Sequence, residues 1–337
     1  MFKNIYLISF LFFSILFSQN GEQAYQFMNL PTSARQAALG GNVNSVRDAD
    51  PNLTLANPAT MNTKMEHQIG LSYASYLADI KYGTASYVYP IQEDQSYLSF
   101  GARFVDYGSF KQTDIIGTET GTFNAKDLAL TVGYAYKIGD FITAGTSVSY
   151  INSTIESYTS SAIAADLGVF FHDEDYNNNI SFVIKNFGFQ LKKFNEIKEE
   201  LPLQINLGYS FKPEFIPVEF SATLHNLQTF DISDPTDKNN NETGFFKKAL
   251  DHVSLGAELF PEKSFNIRLG YNFKKGSELA TEDVRNFSGL SFGIGLKISS
   301  LKIDYSHIRY NTAGNMNMIG LKIDLYEIIS PRYEWDR

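Results

Sequence analysis

The stretch LSFGIGLKI, Leu290–Ile298, decides the fold of this chain. Every second residue in it is apolar, and the residues between are serine, glycine or lysine; the apolar set is Leu290, Phe292, Ile294, Leu296 and Ile298. Because successive side chains of a β-strand point to opposite faces, this alternation predicts a strand with one apolar and one polar face. The stretch 265–273, FNIRLGYNF, repeats the pattern.

The same alternation predicts about fourteen strands after residue 66, joined by connections that alternate between short and long. The long ones are 108–121, 188–201, 227–250 and 275–286. Tight turns at one end and long loops at the other are typical of up-and-down barrels of the bacterial outer membrane, whose turns face the periplasm. A soluble β-sandwich also alternates, but it has little reason to sort its connections by length. We therefore predict an all-β outer-membrane barrel of about 14 antiparallel strands over 63–327, with extracellular long loops.

Targeting and composition agree with export to a membrane. Lys3 followed by the apolar run 5–17 and the small Ser18 predicts a signal peptide over 1–18, and the run is too short for a membrane anchor helix. The chain has no cysteine, and its net charge of −9 argues against a nucleic-acid partner. We expect outer-membrane lipid around the barrel, both chain ends in the periplasm, and a periplasmic C-terminal tail over 328–337.

Residues 19–62 do not alternate and predict a small helical plug. Thr32 or Ser33 can cap a short helix that begins at Ala34 and stops at Gly40-Gly41. Turns are expected at 48–52 and at Asn57-Pro58. Side chains alone do not fill the lumen of a barrel of this size, so a folded insert is expected inside it. The alternative is that the segment forms a periplasmic tail.

Two elements of this segment carry a family resemblance: SARQAALGG at 33–41, with Asp48 after it, and the downstream Asn-Pro-Ala. They resemble the N-terminal region of the PorV/PorQ family of FadL-like outer-membrane barrels, with the PorQ branch nearer. The plug residues that match are Ser33, Ala34, Arg35, Gly40, Gly41, Asp48, Asn57, Pro58 and Ala59.

This resemblance implies a part in the type IX secretion system. Barrels of the PorQ branch belong to its cell-surface attachment complex, so the implied partners are a PorZ-like surface protein and also PorU and PorV. The implied function is a non-enzymatic anchor that holds the partner through its extracellular loops. The alternatives are a FadL-like transporter of hydrophobic compounds and a PorV-like shuttle that binds C-terminal signal domains of cargo.

The residues themselves predict no catalytic site, cofactor or metal site. Oxygen-rich residues at 231–241 suit calcium, but Asp, Asn and Pro clusters usually form ordinary loops. Charged residues do occur at inward positions of the last strands: Arg268, Lys297, Lys302, Asp304, Lys322 and Asp324. They either set solute selectivity or form salt bridges that hold the plug, and we favour the second interpretation.

Overall fold

The computed structural model describes residues 24–75, 80–194, 198–232, 244–278, 288–309 and 314–329. Their strands form a closed antiparallel barrel in which each strand pairs with its sequence neighbours and β1 pairs with β14. This confirms the predicted fold. The strands are β1 Gln68–Ser75, β2 Lys81–Gln92, β3 Ser96–Thr113, β4 Glu119–Ile138, β5 Ile142–Ile155, β6 Tyr158–Asp173, β7 Asn178–Lys192, β8 Gln204–Phe211, β9 Val218–Leu224, β10 Val253–Leu259, β11 Phe265–Asn272, β12 Leu290–Ile298, β13 Leu301–Arg309 and β14 Asn315–Asp324.

The barrel is apolar on the outside and largely polar on the inside, where apolar wall residues such as Ile308 and Met318 join one buried cluster with Phe27 of the plug. On β12, Leu290, Phe292 and Ile294 are 39–46% exposed, whereas the intervening Ser291 is 1% exposed. On β11, Ile267 and Leu269 face outward, and Asn266 and Arg268 are buried. An exterior of this kind is stable against hydrocarbon rather than water. The alternation read from the sequence is therefore confirmed, with the apolar face toward the membrane.

We call the two ends of the barrel the turn end and the loop end. The turn end carries the connections 93–95, 139–141, 174–177, 212–217, 260–264 and 299–300, and the loop end carries the other seven. Two loops predicted from the sequence are shorter than expected, because the strands continue beyond the apolar band. β3 extends to Thr113 and β4 begins at Glu119, so most of 108–121 is a two-stranded ribbon; β7 likewise extends to Lys192. In the extended part of β3, polar side chains lie on both faces and remove the alternation, whereas the extension of β7 keeps it through Phe187, Phe189 and Leu191.

Four short α-helices accompany the strands in the described residues: α1 Ala34–Ala38, α2 Phe245–Asp251, α3 Phe273–Glu278 and α4 Leu325–Ile329. None of the helices in these ranges is long and apolar enough to cross a membrane. Helix α3 corrects the expectation that β11 continues through Phe273. The predicted signal peptide and the stretch 330–337 lie outside the described residues, as does most of the oxygen-rich 231–241.

The N-terminal segment lies inside the barrel and crosses it from end to end. At the loop end, the Ala24 amide donates to the Glu200 carbonyl at 3.0 Å, and Tyr25 bonds to Ser160. At the turn end, Arg47 pairs with Glu174 at 3.4 Å. The expectation that the chain begins at the turn end is wrong for the described residues, because the lumen is long enough for the segment to enter from the opposite side. The C-terminal helix α4 does lie at the turn end.

Local capping shapes this plug largely as the sequence predicts. The Ser33 hydroxyl accepts the Gln36 amide at 3.2 Å and caps α1. Gly40 and Gly41 have φ of 87° and 86°, a left-handed conformation that ends the helix. Asn57 caps the 3₁₀ helix Pro58–Thr60 through its side-chain oxygen, which accepts the Ala59 amide at 3.0 Å. Further 3₁₀ helices span Gln26–Asn29, Pro51–Leu55 and Thr63–Met65.

Glycines on the inner wall allow the plug to touch the strand backbones directly. A Cβ atom at Gly145 would lie 2.5 Å from the backbone of Pro58, and one at Gly270 would lie 2.2 Å from the Gly40 nitrogen. Such distances exclude a side chain. A Cβ would lie 3.0 Å or less from a plug atom at each of nine inward glycines, on nine different strands: Gly70, Gly101, Gly133, Gly145, Gly168, Gly208, Gly256, Gly270 and Gly293. The wall and the plug are therefore complementary in shape around most of the circumference.

We expect Gly270→Val to destabilise the barrel because its Cβ would collide with plug backbone at Gly40 rather than with a movable side chain. The expected loss is about 1–3 kcal/mol or more, measured as the free energy of unfolding by urea titration in detergent. The matched control is Gly121→Val on β4, where the new atom would meet only the flexible Gln112 side chain, at 3.3 Å. Equal stability of the two variants would contradict direct contact between plug and wall.

Candidate functional site

Arg35 is the centre of the contact between plug and barrel. Its side chain is 3% exposed and forms an ion pair with Asp48 of the plug at 2.5 Å. It also donates to Glu258 on β10 and pairs with Glu219 on β9 at 3.3 Å. A buried guanidinium is tolerated only when carboxylates surround it. The plug helix is therefore held to two strands by one side chain.

Side chains of the barrel wall extend this cluster with charges of alternating sign. Arg268 on β11 is fully buried and bridges Glu258 at 2.9 Å and Asp304 on β13 at 2.6 Å. Lys322 on β14 lies 3.2 Å from Asp48 and 3.8 Å from Asp304, which closes the cluster on the plug again. Each charged group of this cluster thus has at least one partner of opposite sign. We call these seven residues the latch: Arg35, Asp48, Glu219, Glu258, Arg268, Asp304 and Lys322.

The pKa values of two plug carboxyl groups, Asp48 and Asp50, are shifted in opposite directions by their surroundings. Burial alone would raise the pKa of Asp48, but Arg35 and Lys322 hold that pKa well below its usual value. Burial raises the pKa of Asp50, and the attraction of Lys322 does not cancel the effect. Asp48 is therefore the charged partner of Arg35, whereas Asp50 serves as a helix cap whose side chain accepts the Asn52 amide at 3.2 Å.

A second arginine holds the plug nearer the loop end. Arg103 on β3 is 1% exposed and donates to the backbone carbonyls of Met28 and Leu55, which belong to two different turns of the plug. Hydrogen bonds from a charged donor are stronger than those from neutral donors. Arg103 therefore ties two parts of the plug to the strand opposite the latch.

The six inward polar residues expected from the sequence fall into two groups. Arg268, Asp304 and Lys322 lie in the latch, and Lys297, Lys302 and Asp324 line a cavity at the turn end. Sequence reasoning missed Glu219, Glu258 and Arg103. Arg103 and Glu258 could have been found, since they occupy the same face of their strands as the inward Gly101 and Gly256.

The motif residues of the plug have structural positions in the lumen. Ala34 is fully buried in α1, Arg35 and Asp48 belong to the latch, and Gly40 packs against β11. Pro58 and Ala59 contact the wall at Gly145, and Asn57 lies against Gly168. Gly41 and Ser33 shape α1, as described above. All of these positions are explained by packing of the plug against the wall.

The cavity at the turn end has a volume of about 520 Å³. Its floor is formed by the plug and the latch, with Arg35 and Asp48 in its lining, and its rim by the connections of the turn end. Most of the lining side chains are charged. This end of the lumen is therefore suited to charged and polar ligands.

The loop end carries a projecting hairpin built from β3 and β4. The outward side chains of β4 are apolar from Leu128 to Ile138, a stretch of roughly 26 Å along the barrel axis at about 3.4 Å per residue and about 40° tilt. That length matches the apolar band of an outer-membrane barrel, about 25 Å. Beyond it, Lys126 pairs with Asp106 across the strands at 3.6 Å. Residues 107–124 therefore stand clear of the band as a two-stranded ribbon, which we call the hairpin.

The tip of the hairpin presents two isoleucines to solvent. Ile115 is 105% and Ile116 82% exposed. The turn that carries them is fixed, because the Asp114 carboxylate accepts the amides of Ile116 at 3.0 Å and Thr118 at 2.8 Å. Phe110 and Phe123 stack below it at 5.3 Å. An apolar pair on an ordered turn outside the membrane band is a candidate contact for another protein.

The structure also brings two histidines together at the loop end. His225 and His252 have ring centroids 6.5 Å apart, and His252 Nδ1 lies 2.7 Å from the His225 carbonyl oxygen. Within the described residues, no group of three or more His, Cys, Asp or Glu side chains could hold a metal ion.

Two solved structures of a channel are similar to the chain in fold. The chain is similar to the TodX monoaromatic hydrocarbon channel in its deltaS2 mutant form, with 14% identity, a TM-score of 0.53, and coverage of 88% of this chain and 98% of that one. The deltaS2S3 mutant gives 13% identity, a TM-score of 0.54, and coverage of 86% and 97%. At this identity the likeness shows the fold alone. No protein-family model and no curated protein matches the chain.

Fold and site together define the class: a fourteen-stranded barrel of the outer-membrane type whose lumen contains an N-terminal plug. Within that class, this protein is one whose plug is fixed by a buried ionic latch and whose hairpin rises above the apolar band.

We expect Arg35→Met to destabilise the folded protein by about 3–5 kcal/mol, because it leaves Glu219 without an ion-pair partner and removes one of the two cations that balance each of the buried Glu258 and Asp48. Urea titration in detergent measures the loss. The control is Lys111→Met, which breaks the Lys111–Glu119 pair on the exposed hairpin and should cost less than about 1 kcal/mol. A smaller effect for Arg35→Met than for the control would exclude the latch as the holding interaction.

Proposed function

We propose that this protein is a non-enzymatic anchor in the outer membrane, which holds a surface protein through the hairpin and does not conduct solutes. The observation that carries the proposal is the exposed Ile115 and Ile116 pair on an ordered tip beyond the apolar band. Two apolar side chains kept in water by a fixed turn gain free energy when a partner covers them, about 1.5–3 kcal/mol each.

The plug supports this proposal over that of an open pore. The plug touches at least nine strands at glycine positions and is fixed by the latch and by Arg103. The cavity that remains at the turn end is lined mostly by charged residues. A protein that keeps its lumen occupied in this way is better suited to display loops than to pass molecules.

The resemblance of the plug motif to the PorV/PorQ family supplies the proposed setting. In this setting the barrel belongs to the type IX secretion system, the loop end faces the exterior, and the partner is a PorZ-like surface protein, with PorU and PorV in the same complex. A PorV-like shuttle would differ in its partner, which would be a C-terminal signal domain of cargo.

The test is co-purification of the tagged protein from its own cells after gentle detergent extraction. We expect a large surface protein to be recovered, and recovery to fall about tenfold or more for Ile115→Ser with Ile116→Ser. The control is Phe215→Ser with Ile216→Ser, an exposed apolar pair at the turn end, 90% and 50% exposed.

Identical recovery with both double variants would contradict the role of the hairpin. Recovery of a cargo signal domain in place of a surface protein would contradict the anchor proposal and support a PorV-like shuttle.

A second candidate is a channel for small hydrophobic compounds, which the likeness in fold to the TodX monoaromatic hydrocarbon channel favours. The two functions are separable with proteoliposomes and radiolabelled toluene as the monoaromatic probe. The anchor is expected to give the same flux as vesicles without protein. Flux above that level, increased further when Arg35→Met loosens the plug, would establish the channel and overturn the closed lumen.

A further inference from the structure

We infer that the cavity at the turn end is a binding site for an acidic segment of a partner protein. The cavity volume of about 520 Å³ lies within the range of about 300–1,000 Å³ that is usual for ligand sites. If the hairpin faces outward, as the proposed function has it, this cavity faces the periplasm. The site itself rests on separate residues from the hairpin.

The lining of the cavity is more basic than the rest of the protein. Eight lining residues are lysine or arginine and five are aspartate or glutamate, although the whole chain has a net charge of −9. A concave surface with one prevailing sign focuses the electrostatic potential and attracts a partner of the opposite sign. The cavity is therefore positive on an acidic protein.

Part of the basic charge is already neutralised inside the cavity. Arg35 and Lys322 belong to the latch, where Asp48 lies between them. Arg47 pairs with Glu174 at 3.4 Å, and Lys212 with Glu262 at 2.6 Å. Lys302 is half-buried and lies close enough to the latch to act on Asp48.

Three other lysines remain uncompensated. Among the described residues, Lys64, Lys263 and Lys297 have no carboxylate within 4.0 Å, and all three are exposed at the rim. Asp324 is the lining carboxylate that forms no ion pair with a described residue; its side chain accepts the Glu327 amide instead. The rim therefore offers ammonium groups that form no ion pair with the part of the chain that the structure describes.

The placement of the three lysines favours an extended chain over a single small anion. Lys64 lies in a 3₁₀ helix of the plug, Lys263 in the connection between β10 and β11, and Lys297 near the end of β12. Three long, rotatable side chains from three separate elements can each meet a different carboxylate. A segment with several Asp or Glu residues satisfies all of them at once.

The probe is a fluorescein-labelled hexaglutamate peptide titrated into the purified full-length protein in detergent at low ionic strength. We expect saturable binding that weakens as salt is added, because the charges are solvent-exposed. The triple variant Lys64→Gln, Lys263→Gln and Lys297→Gln should weaken binding about tenfold or more. The matched control, Lys111→Gln, Lys126→Gln and Lys192→Gln, removes the same charge near the loop end and should change binding less than about twofold.

Three results would overturn the inference. These are absence of binding at low ionic strength, equal weakening by both triple variants, and complete displacement of the peptide by an equivalent concentration of inorganic phosphate. The last result would make the cavity a site for simple anions. The Ile115→Ser, Ile116→Ser variant should bind the peptide normally, so failure of the anchor proposal and failure of this one are distinguishable.

Discussion

The buried ion pairs of Arg35 are the interaction on which the rest of the lumen depends. A guanidinium removed from water is unfavourable unless carboxylates replace its hydration, and here the carboxylates come from the plug and from two strands. Because Glu258 and Asp48 each pair with a second cation, the ion pairs of Arg35 continue into those of Arg268 and Lys322. The plug is thus coupled to β9, β10, β11, β13 and β14 as one electrostatic unit.

Shape complementarity is what allows this electrostatic unit to form. Glycines at inward positions bring the strand backbones within reach of α1 and of the turn at Asn57, so that Arg35 can enter the wall instead of spanning a gap. Inward positions require small residues such as glycine. The outward positions of the same strands instead require apolar side chains. The sequence LSFGIGLKI carries both requirements at once, with Gly293 against Ala38 and Phe292 toward lipid.

Much of this architecture is readable from local sequence, and the rest depends on pairings that span the barrel. Alternation predicts the number of strands, the outward residues and the inward position of Arg268 and Lys322. It does not predict that Arg35 meets Glu258, since that contact joins residues 223 positions apart and depends on the register of every strand between. The sequence predicts a loop in place of the hairpin for a related reason: outside the membrane both faces of the hairpin contact water, so alternation vanishes although backbone pairing continues to Thr113.

The two ends of the barrel differ in chemistry because the plug separates them. With the lumen filled, a ligand at the turn end meets the charged cavity whose floor includes Arg35 and Asp48, and a partner at the loop end meets what rises above the band. The apolar tip at Ile115 and the basic rim at Lys297 therefore face different surroundings. They do not compete for the same binding partner. Coupling between them would have to pass through the plug, which contacts Glu200 at one end and Glu174 at the other. The latch resists movement of the plug. Independent binding at the two ends is therefore the behaviour that this structure favours.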